Sequence, residues 1–161
     1  MKIYDNFLPN DEHLKLKASL ESSMFPWYYI PNQANDDGKF YFCHVFYFEH
    51  NYKTHYSDIL KDLIYKINPT SMINIRANCV LNRFKQIESN WHIDNYHAKN
   101  MDYKTAIYYV NTNNGVTEFK TGEKVDSIEN RLIIFDCKSE HRALSQTDLD
   151  RRIVININYF E

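Results

Sequence analysis

His92 and Asp94 stand two residues apart in the segment Trp91-His92-Ile93-Asp94, and His141 and Arg152 follow far downstream. Two histidines and one carboxylate are the ligand set of a facial triad. Such a triad holds one face of an octahedral Fe(II) and leaves the remaining positions to other ligands and O2. The run around His92 reads as strand, where residues i and i+2 leave the same face, so one metal ion can be reached by both side chains. His141 comes late enough to return on a neighbouring strand. Arg152 opens the strand-like run Arg152-Ile153-Val154-Ile155-Asn156-Ile157-Asn158-Tyr159. A fixed cation near an open iron site suits an anionic co-substrate, and a dicarboxylate fits.

The elements that must position these residues divide the chain in two. Ile3–Leu8 reads as a short strand closed by Pro9. Asn10 or Asp11 is placed to cap a helix running to about Ser22, with Leu14, Ala18 and Leu20 on its apolar side. Pro31–Lys39 is a polar loop, and Phe40–Phe48 is strongly strand-like. Tyr56, Ile59, Leu60, Leu63, Ile64 and Ile67 recur at helical spacing and predict a second amphipathic helix, ended before Pro69. Beyond that the pattern is nearly all strand. Helical support over about 10–67 and a β core over about 72–161 predict a single domain of mainly β class with flanking helices.

Several ordered pieces of the second part resemble one known family, the Fe(II)/2-oxoglutarate-dependent oxygenases, and within it the prolyl 4-hydroxylase-like branch. His92-Ile93-Asp94-Asn95 resembles the H-x-D strand end. Thr105-Ala106-Ile107-Tyr108-Tyr109-Val110-Asn111 is similar to the T-x-x-x-Y-L-N strand. Asn114-Gly115-Val116-Thr117-Glu118-Phe119 resembles the G-G-x-T-x-F turn and strand, with Asn114 in place of the first glycine. Arg131-Leu132-Ile133-Ile134-Phe135 resembles the strand before the second histidine, and His141 to Arg152 the distal-histidine and 2-oxoglutarate-arginine pair. Five pieces in this order are far more specific than H-x-D alone. The resemblance implies a double-stranded β-helix (a jelly roll, cupin-like). It implies Fe(II) on His92, Asp94 and His141, with 2-oxoglutarate and O2 as co-substrates. Arg152 with Tyr109 would hold the distal carboxylate.

Composition agrees with a soluble enzyme. The chain has 161 residues and a formal net charge of −2, so nothing draws it to nucleic acid. No stretch approaches a membrane span, and the N-terminus lacks the apolar region of a signal peptide, which predicts a cytoplasmic protein. Cys43, Cys79 and Cys137 make neither a C-x-x-C pair nor an even set, and are read as reduced and mostly buried. Lys, Asn, Ile and Tyr are abundant while glycines number 3 and prolines 4. That bias points to an AT-rich genome, such as that of a phage or a small-genome bacterium.

Alternation assigns faces. In the last strand Ile153, Ile155, Ile157 and Tyr159 should pack on the helices, while Arg152, Val154, Asn156 and Asn158 line the cavity. Arg152 is therefore the cavity cation and Arg151 a solvated strand-end charge. Thr105, Ile107, Tyr109 and Asn111 share a face, which leaves Tyr108 to the core. Arg76 and Asn78 alternate away from Ile73, Ile75, Ala77 and Cys79, and two placements stay open for them, cavity and surface. His97 has a ligand and an exposed-loop reading, with the loop favoured. His44, His50 and His55 read as structural or surface. Trp91 is read as packing or as a gate, and Asp136 as a strand end or as an orienter of a ligand. The aromatic run Phe40–Phe48 has no basic patch beside it and reads as core.

The resemblance implies oxidative decarboxylation of 2-oxoglutarate to succinate and CO2, coupled to hydroxylation of a substrate C–H bond. Asp94 is a full ligand where related halogenases carry a small residue, so hydroxylation is expected. The nucleic-acid demethylase branch pairs its arginine with a second one six residues on, where this chain has Asn158. The expected substrate is a prolyl residue in a peptide or protein, with free amino acids and other small molecules as the alternative. Loops 31–39 and 95–104 are the expected substrate gates. Two rival classes remain, a non-enzymatic metal-binding jelly roll and a cupin-like metalloenzyme that needs no 2-oxoglutarate. The first has no evident use for Arg152 and Tyr109 on a cavity face; the second would be marked by a preference for Zn(II) or by activity that survives Arg152→Ala.

Overall fold

A computed structural model describes residues 1–34, 36–94 and 101–161. Its elements in chain order are β1 (Lys2–Tyr4), α1 (Asn10–Glu21), β2 (Tyr28–Ile30), β3 (Tyr41–Phe48) and β4 (Asn51–Tyr52). A 3-10 turn (His55–Leu60), α2 (Lys61–Ile67) and β5 (Ser71–Leu81) follow. The remaining strands are β6 (Lys104–Tyr109), β7 (Asn113–Phe119), β8 (Lys124–Ser127), β9 (Arg131–Asp136), β10 (His141–Leu144) and β11 (Arg151–Phe160).

The strands form two antiparallel sheets. The major sheet runs β1-β9-β6-β11-β5-β3-β2, with β4 on β3, and the minor sheet runs β10-β7-β8. Bridges Glu88↔Leu144 and His92↔His141 lay the segment before Asp94 along β10, as a fourth line of the minor sheet. The expected double-stranded β-helix is therefore present, with helices on one side.

The β11 alternation holds as expected, except that Asn158 does not line the cavity and is buried, donating to Thr105 Oγ1. Ile153, Ile155, Ile157 and Tyr159 join Leu16, Leu20, Leu60 and Leu63 in the core beneath the helices. Each fully buried aliphatic side chain there contributes roughly 1.5–3 kcal/mol. Val154, on the opposite face, packs between the sheets with Ile107, Tyr109, Phe119, Val125, Ile133 and Phe135.

Some expected details change. The first strand stops at Tyr4, because Asn6 takes a left-handed backbone (φ 51°) that breaks the ladder. Helix α1 starts after Pro9 with no side-chain cap; Asp11 and Glu12 in its first turn meet the helix dipole instead. It buries His13, Leu16 and Leu20, whereas Leu14 and Ala18 are exposed. His13 can be buried because its Nδ1 lies 2.8 Å from the Tyr108 hydroxyl. The second helix begins as the 3-10 turn, where Thr54 Oγ1 accepts from the Tyr56 amide, and ends at left-handed Asn68 before Pro69.

Arg151 is half-buried rather than solvated and donates to the Glu21 carbonyl at the C-terminus of α1. Tyr108 is core as expected, donating to Asn130 Oδ1. His44 is structural, buried in an aromatic cluster with Phe25, Phe46 and Tyr56, its Nδ1 on the Pro26 carbonyl. His50 and His55 are exposed. All three cysteines are free and buried. Among the described residues no helix is long and apolar enough to cross a membrane.

Candidate metal centre and anion site

The minor sheet sets the two histidines. His92 and His141 exchange both main-chain hydrogen bonds at 3.0 Å, which fixes them as an antiparallel pair with rings 4.6 Å apart. Each Nδ1 meets a nearby carbonyl at 3.0 Å, Asn90 for His92 and Ser139 for His141. That contact leaves each Nε2 as the free ligand atom. Phe119 and Phe135 pack against the His141 ring.

Asp94 is buried at the end of the same segment. Its Oδ1 lies 3.8 Å from His92 Nε2 and 3.9 Å from His141 Nε2, and the three ligand atoms fall within 4.8 Å of one another. Among the described residues the buried Oδ1 has no hydrogen-bond partner, a state that costs free energy unless a cation takes the oxygen. Oδ2 accepts from Asn156 Nδ2 at 2.8 Å, and the Tyr103 hydroxyl donates to the Asp94 carbonyl at 2.6 Å. Burial alone would raise the Asp94 carboxyl; His141, Arg76, His92 and the Asn156 bond outweigh it and hold the group below its usual value. Burial pushes His141 down, against Asp94, towards the neutral form that a metal ligand requires. The donor set thus fits a divalent metal bound on one face.

One cavity joins this cluster to Arg152, with Thr117, Val154, Asn156, Asn78 and Arg76 among its lining. Strand register sets the order along it. Arg152 pairs with Val80, Val154 with Asn78, and Asn156 with Arg76. From the Arg152 level to the Asn156 level is four residues of strand, about 13 Å. Arg152 therefore sits at the far end and Arg76 at the level of the metal cluster.

Arg152 is 3% exposed, and among the described residues it has no carboxylate partner. Nε donates to Ser127 Oγ at 2.8 Å and one terminal nitrogen to Thr117 Oγ1 at 3.1 Å. An arginine has five N–H donors and keeps its charge even where burial lowers its pKa, so donors remain for an anion. Tyr109 is fully buried behind Thr117 and does not line the cavity; its hydroxyl donates to Thr117 Oγ1 at 2.8 Å. With both acceptor positions of Thr117 taken, its own hydroxyl hydrogen is free to turn to a ligand. Gly115 makes this packing possible, since a Cβ there would lie 2.7 Å from Arg152 Cδ.

His92, His141 and Arg152 thus line one cavity, with Asp94 buried against both histidines and Tyr109 one contact behind Thr117. Arg76 and Asn78, left between two placements by the sequence, line the cavity. The Arg142 guanidinium stacks 4.5 Å from the Trp91 ring at the rim and pairs with Glu118 and Glu88, so Trp91 packs. Asp136 is exposed, accepts from the Lys138 amide and, among the described residues, contacts none of His92, Asp94 and His141. Asn111 ties to the Arg151 carbonyl rather than entering the cavity. His97 and most of the loop 95–104 lie outside the described residues. In loop 31–39, Asp37 accepts from the amides of Gln33, Ala34 and Lys39, and Gln33 joins the cavity wall. Sequence reasoning placed Asn156 on the cavity face without a partner and assigned no role to Thr117 or Ser127. Asn156 shares the Arg152 face of β11 and Thr117 follows Gly115 by two, but their partners are far away in sequence.

No protein-family model and no curated protein matches the sequence. Solved structures do match. A prolyl hydroxylase from Trichoplax adhaerens, in complex with a hypoxia inducible factor oxygen degradation domain peptide fragment, superposes with TM-score 0.71 at 16% identity. That match covers 99% of this chain and 82% of the other. A 2OG-Fe(II) oxygenase family protein from Burkholderia pseudomallei gives TM-score 0.70 at 8% identity, covering 96% and 82%. The viral collagen prolyl hydroxylase of Paramecium bursaria Chlorella virus-1 gives 0.63 at 11%, covering 99% and 90%. The chain has the double-stranded β-helix fold of these oxygenases.

Proposed function

We propose that the protein is an Fe(II)- and 2-oxoglutarate-dependent dioxygenase that hydroxylates a C–H bond of its substrate, with residues 1–161 acting as one domain. The observation that carries this reading is one cavity with a His-Asp-His cluster at one end and, at the other, a buried arginine that has no carboxylate partner among the described residues. His92, Asp94 and His141 would hold the iron, whose chemistry when bound is O2 activation coupled to decarboxylation of 2-oxoglutarate. Asn156 fixes Asp94 so that Oδ1 faces both histidines. Arg152 supplies the charge for the distal carboxylate, Ser127 and Thr117 aim its guanidinium, and Tyr109 holds Thr117. Val154, midway between Arg152 and Asn156 on β11, and Ile107, paired with Asn156, give the cavity apolar lining between and beside its polar groups.

Two of the neighbours' names state prolyl hydroxylation, which supports the expectation of a prolyl residue in a peptide or protein; a free amino acid or other small molecule is the second reading. The formal charge of −2 gives no support to a nucleic-acid substrate. The buried free cysteines are consistent with a cytoplasmic setting. The test is release of CO2 from C1 of 2-oxoglutarate by the purified protein. The proposal expects release that needs Fe(II) and O2, is lost in Asp94→Ala, and demands far more 2-oxoglutarate in Arg152→Ala. Activity that survives Asp94→Ala at full Fe(II) dependence would sink the triad assignment.

A further inference from the structure

The cavity contains a second arginine that the proposed chemistry does not use. Arg76 projects from β5 at the level of the metal cluster, across the strand pair from the Asn156 that clamps Asp94. Its side chain is 28% exposed, towards the cavity that it lines. Its Nε is buried with no partner, and among the described residues its guanidinium makes no hydrogen bond. The nearest charge is Asp94 Oδ1 at 3.7 Å, beyond hydrogen-bonding distance, and that oxygen is the one aimed at both histidines. Asn78 Oδ1, one cavity position along β5, is also buried and has no partner among the described residues.

A purely structural salt bridge does not account for this arrangement. Asp94 is already held by Asn156 and Tyr103, so Arg76 is not needed to place it. A divalent ion on Asp94 Oδ1 would take up the charge that now faces Arg76. Formal charges in the interior then run +2 for the ion, −1 for Asp94 and +1 each for Arg152 and Arg76. A 2-oxoglutarate dianion leaves one positive charge uncompensated, in a setting where an unpaired buried charge is costly. Arg142 at the rim is already paired with Glu118 and Glu88, and Arg152 faces the far end. Once an ion takes Asp94 Oδ1, Arg76 is the cavity cation left without an anion of its own among the described residues.

The geometry points to Arg76 as the binding group for a carboxylate on the oxidised substrate, presented beside the metal. This inference rests on the dioxygenase reading above and narrows its substrate class. The carboxylate can come from either of two sources, the α-carboxylate of a free amino acid or an acidic side chain flanking the target residue of a peptide. Arg76 would hold it by a charge-assisted, two-pronged contact that also orients the neighbouring C–H bond.

The experiment is anaerobic calorimetric titration into Fe(II)- and 2-oxoglutarate-loaded protein. The ligands are free L-amino acids, the same amino acids as carboxamides, and proline-containing peptides with and without an adjacent Glu or Asp. Wild type is expected to bind ligands that carry the carboxylate and to ignore their neutral counterparts; which set binds identifies the source. Arg76→Gln should weaken that binding by roughly tenfold or more, as loss of a hydrogen bond to a charged group does. Arg76→Lys should recover part of it, and both variants should bind 2-oxoglutarate as wild type does. Equal binding of the carboxamides overturns the inference, as does a panel in which no carboxylate ligand binds. Loss of 2-oxoglutarate affinity in a folded Arg76→Gln also overturns it, by assigning Arg76 to the co-substrate. Failure of wild type to bind 2-oxoglutarate at all would instead refute the dioxygenase reading, so the two failures are separable.

Discussion

Gly115→Ala should damage the far end of the cavity without removing any polar group. The added Cβ would meet Arg152 Cδ at 2.7 Å, Asn113 Oδ1 at 2.8 Å and the Leu144 carbonyl at 3.0 Å, where ordinary contacts begin near 3.4 Å. The Leu144 carbonyl is backbone. Asn113 is pinned, because its Nδ2 donates to Asn111 and its Oδ1 accepts from the Gly115 amide. Arg152 is the group that must retreat, and retreat strains its bonds to Ser127 and Thr117. Overpacking of this kind costs about 1–3 kcal/mol of stability. For a chain of this size that lowers the melting temperature by roughly 2–4 °C per kcal/mol. Losing one charge-assisted bond to the co-substrate costs about 1.5–3 kcal/mol, or roughly ten- to a hundredfold in affinity. Scanning calorimetry reads the first quantity, and anaerobic titration of 2-oxoglutarate into Fe(II)-loaded protein the second. Gly122→Ala is the control. Gly122 has φ +101° and open space around it, so its substitution should lower stability through backbone strain alone. The reasoning fails if Gly115→Ala destabilises the fold while 2-oxoglutarate binds as tightly as before.

Asn156→Ala removes the clamp on Asp94 Oδ2 and should weaken Fe(II) binding by about ten- to a hundredfold, with circular dichroism unchanged; calorimetric metal titration measures it. The three cysteines should resist thiol reagents until denaturant is added, since all are buried and burial pushes the Cys79 thiol up to about 11. Rapid labelling of native protein would contradict that burial. On the outer surface, hydrogen bonds from Arg142 and then Lys124 hold the Glu118 carboxyl below its ordinary 4.5. A lowered folded pKa stabilises above the unfolded value and is lost as pH falls through the folded one. The stability gap between wild type and Glu118→Gln should therefore be constant near neutrality and close as pH drops below about 4.5, as read from melting temperatures across that range.

The meeting of His92, Asp94 and His141 was legible because strand geometry converts an i, i+2 pair into two convergent side chains, and because the pieces around it follow in a fixed order. Alternation along β11 separated Arg152 from Arg151, since one residue's shift exchanges the two faces. The same argument could not place Arg76: it identifies a face of β5, but whether that face is covered by the second sheet depends on distant chain. Asn156 was likewise on the right face, while its bond to Asp94 spans residues that no local pattern connects. In α1 the apolar count favoured Leu14 and Ala18, and the buried His13 broke the pattern because its partner Tyr108 lies on β6. Apolar spacing also could not distinguish the 3-10 turn His55–Leu60 from α-helix, because i, i+3 contacts belong to both.

The central claim is that one cavity holds Fe(II) and 2-oxoglutarate together. Its most direct test is the weak visible charge-transfer band of the chelate, followed while 2-oxoglutarate is added anaerobically to the Fe(II)-loaded protein. The account predicts a saturable band in wild type, a band that needs far more 2-oxoglutarate in Arg152→Ala, and none in His92→Ala. Folded, iron-loaded wild-type protein that develops no band would contradict it.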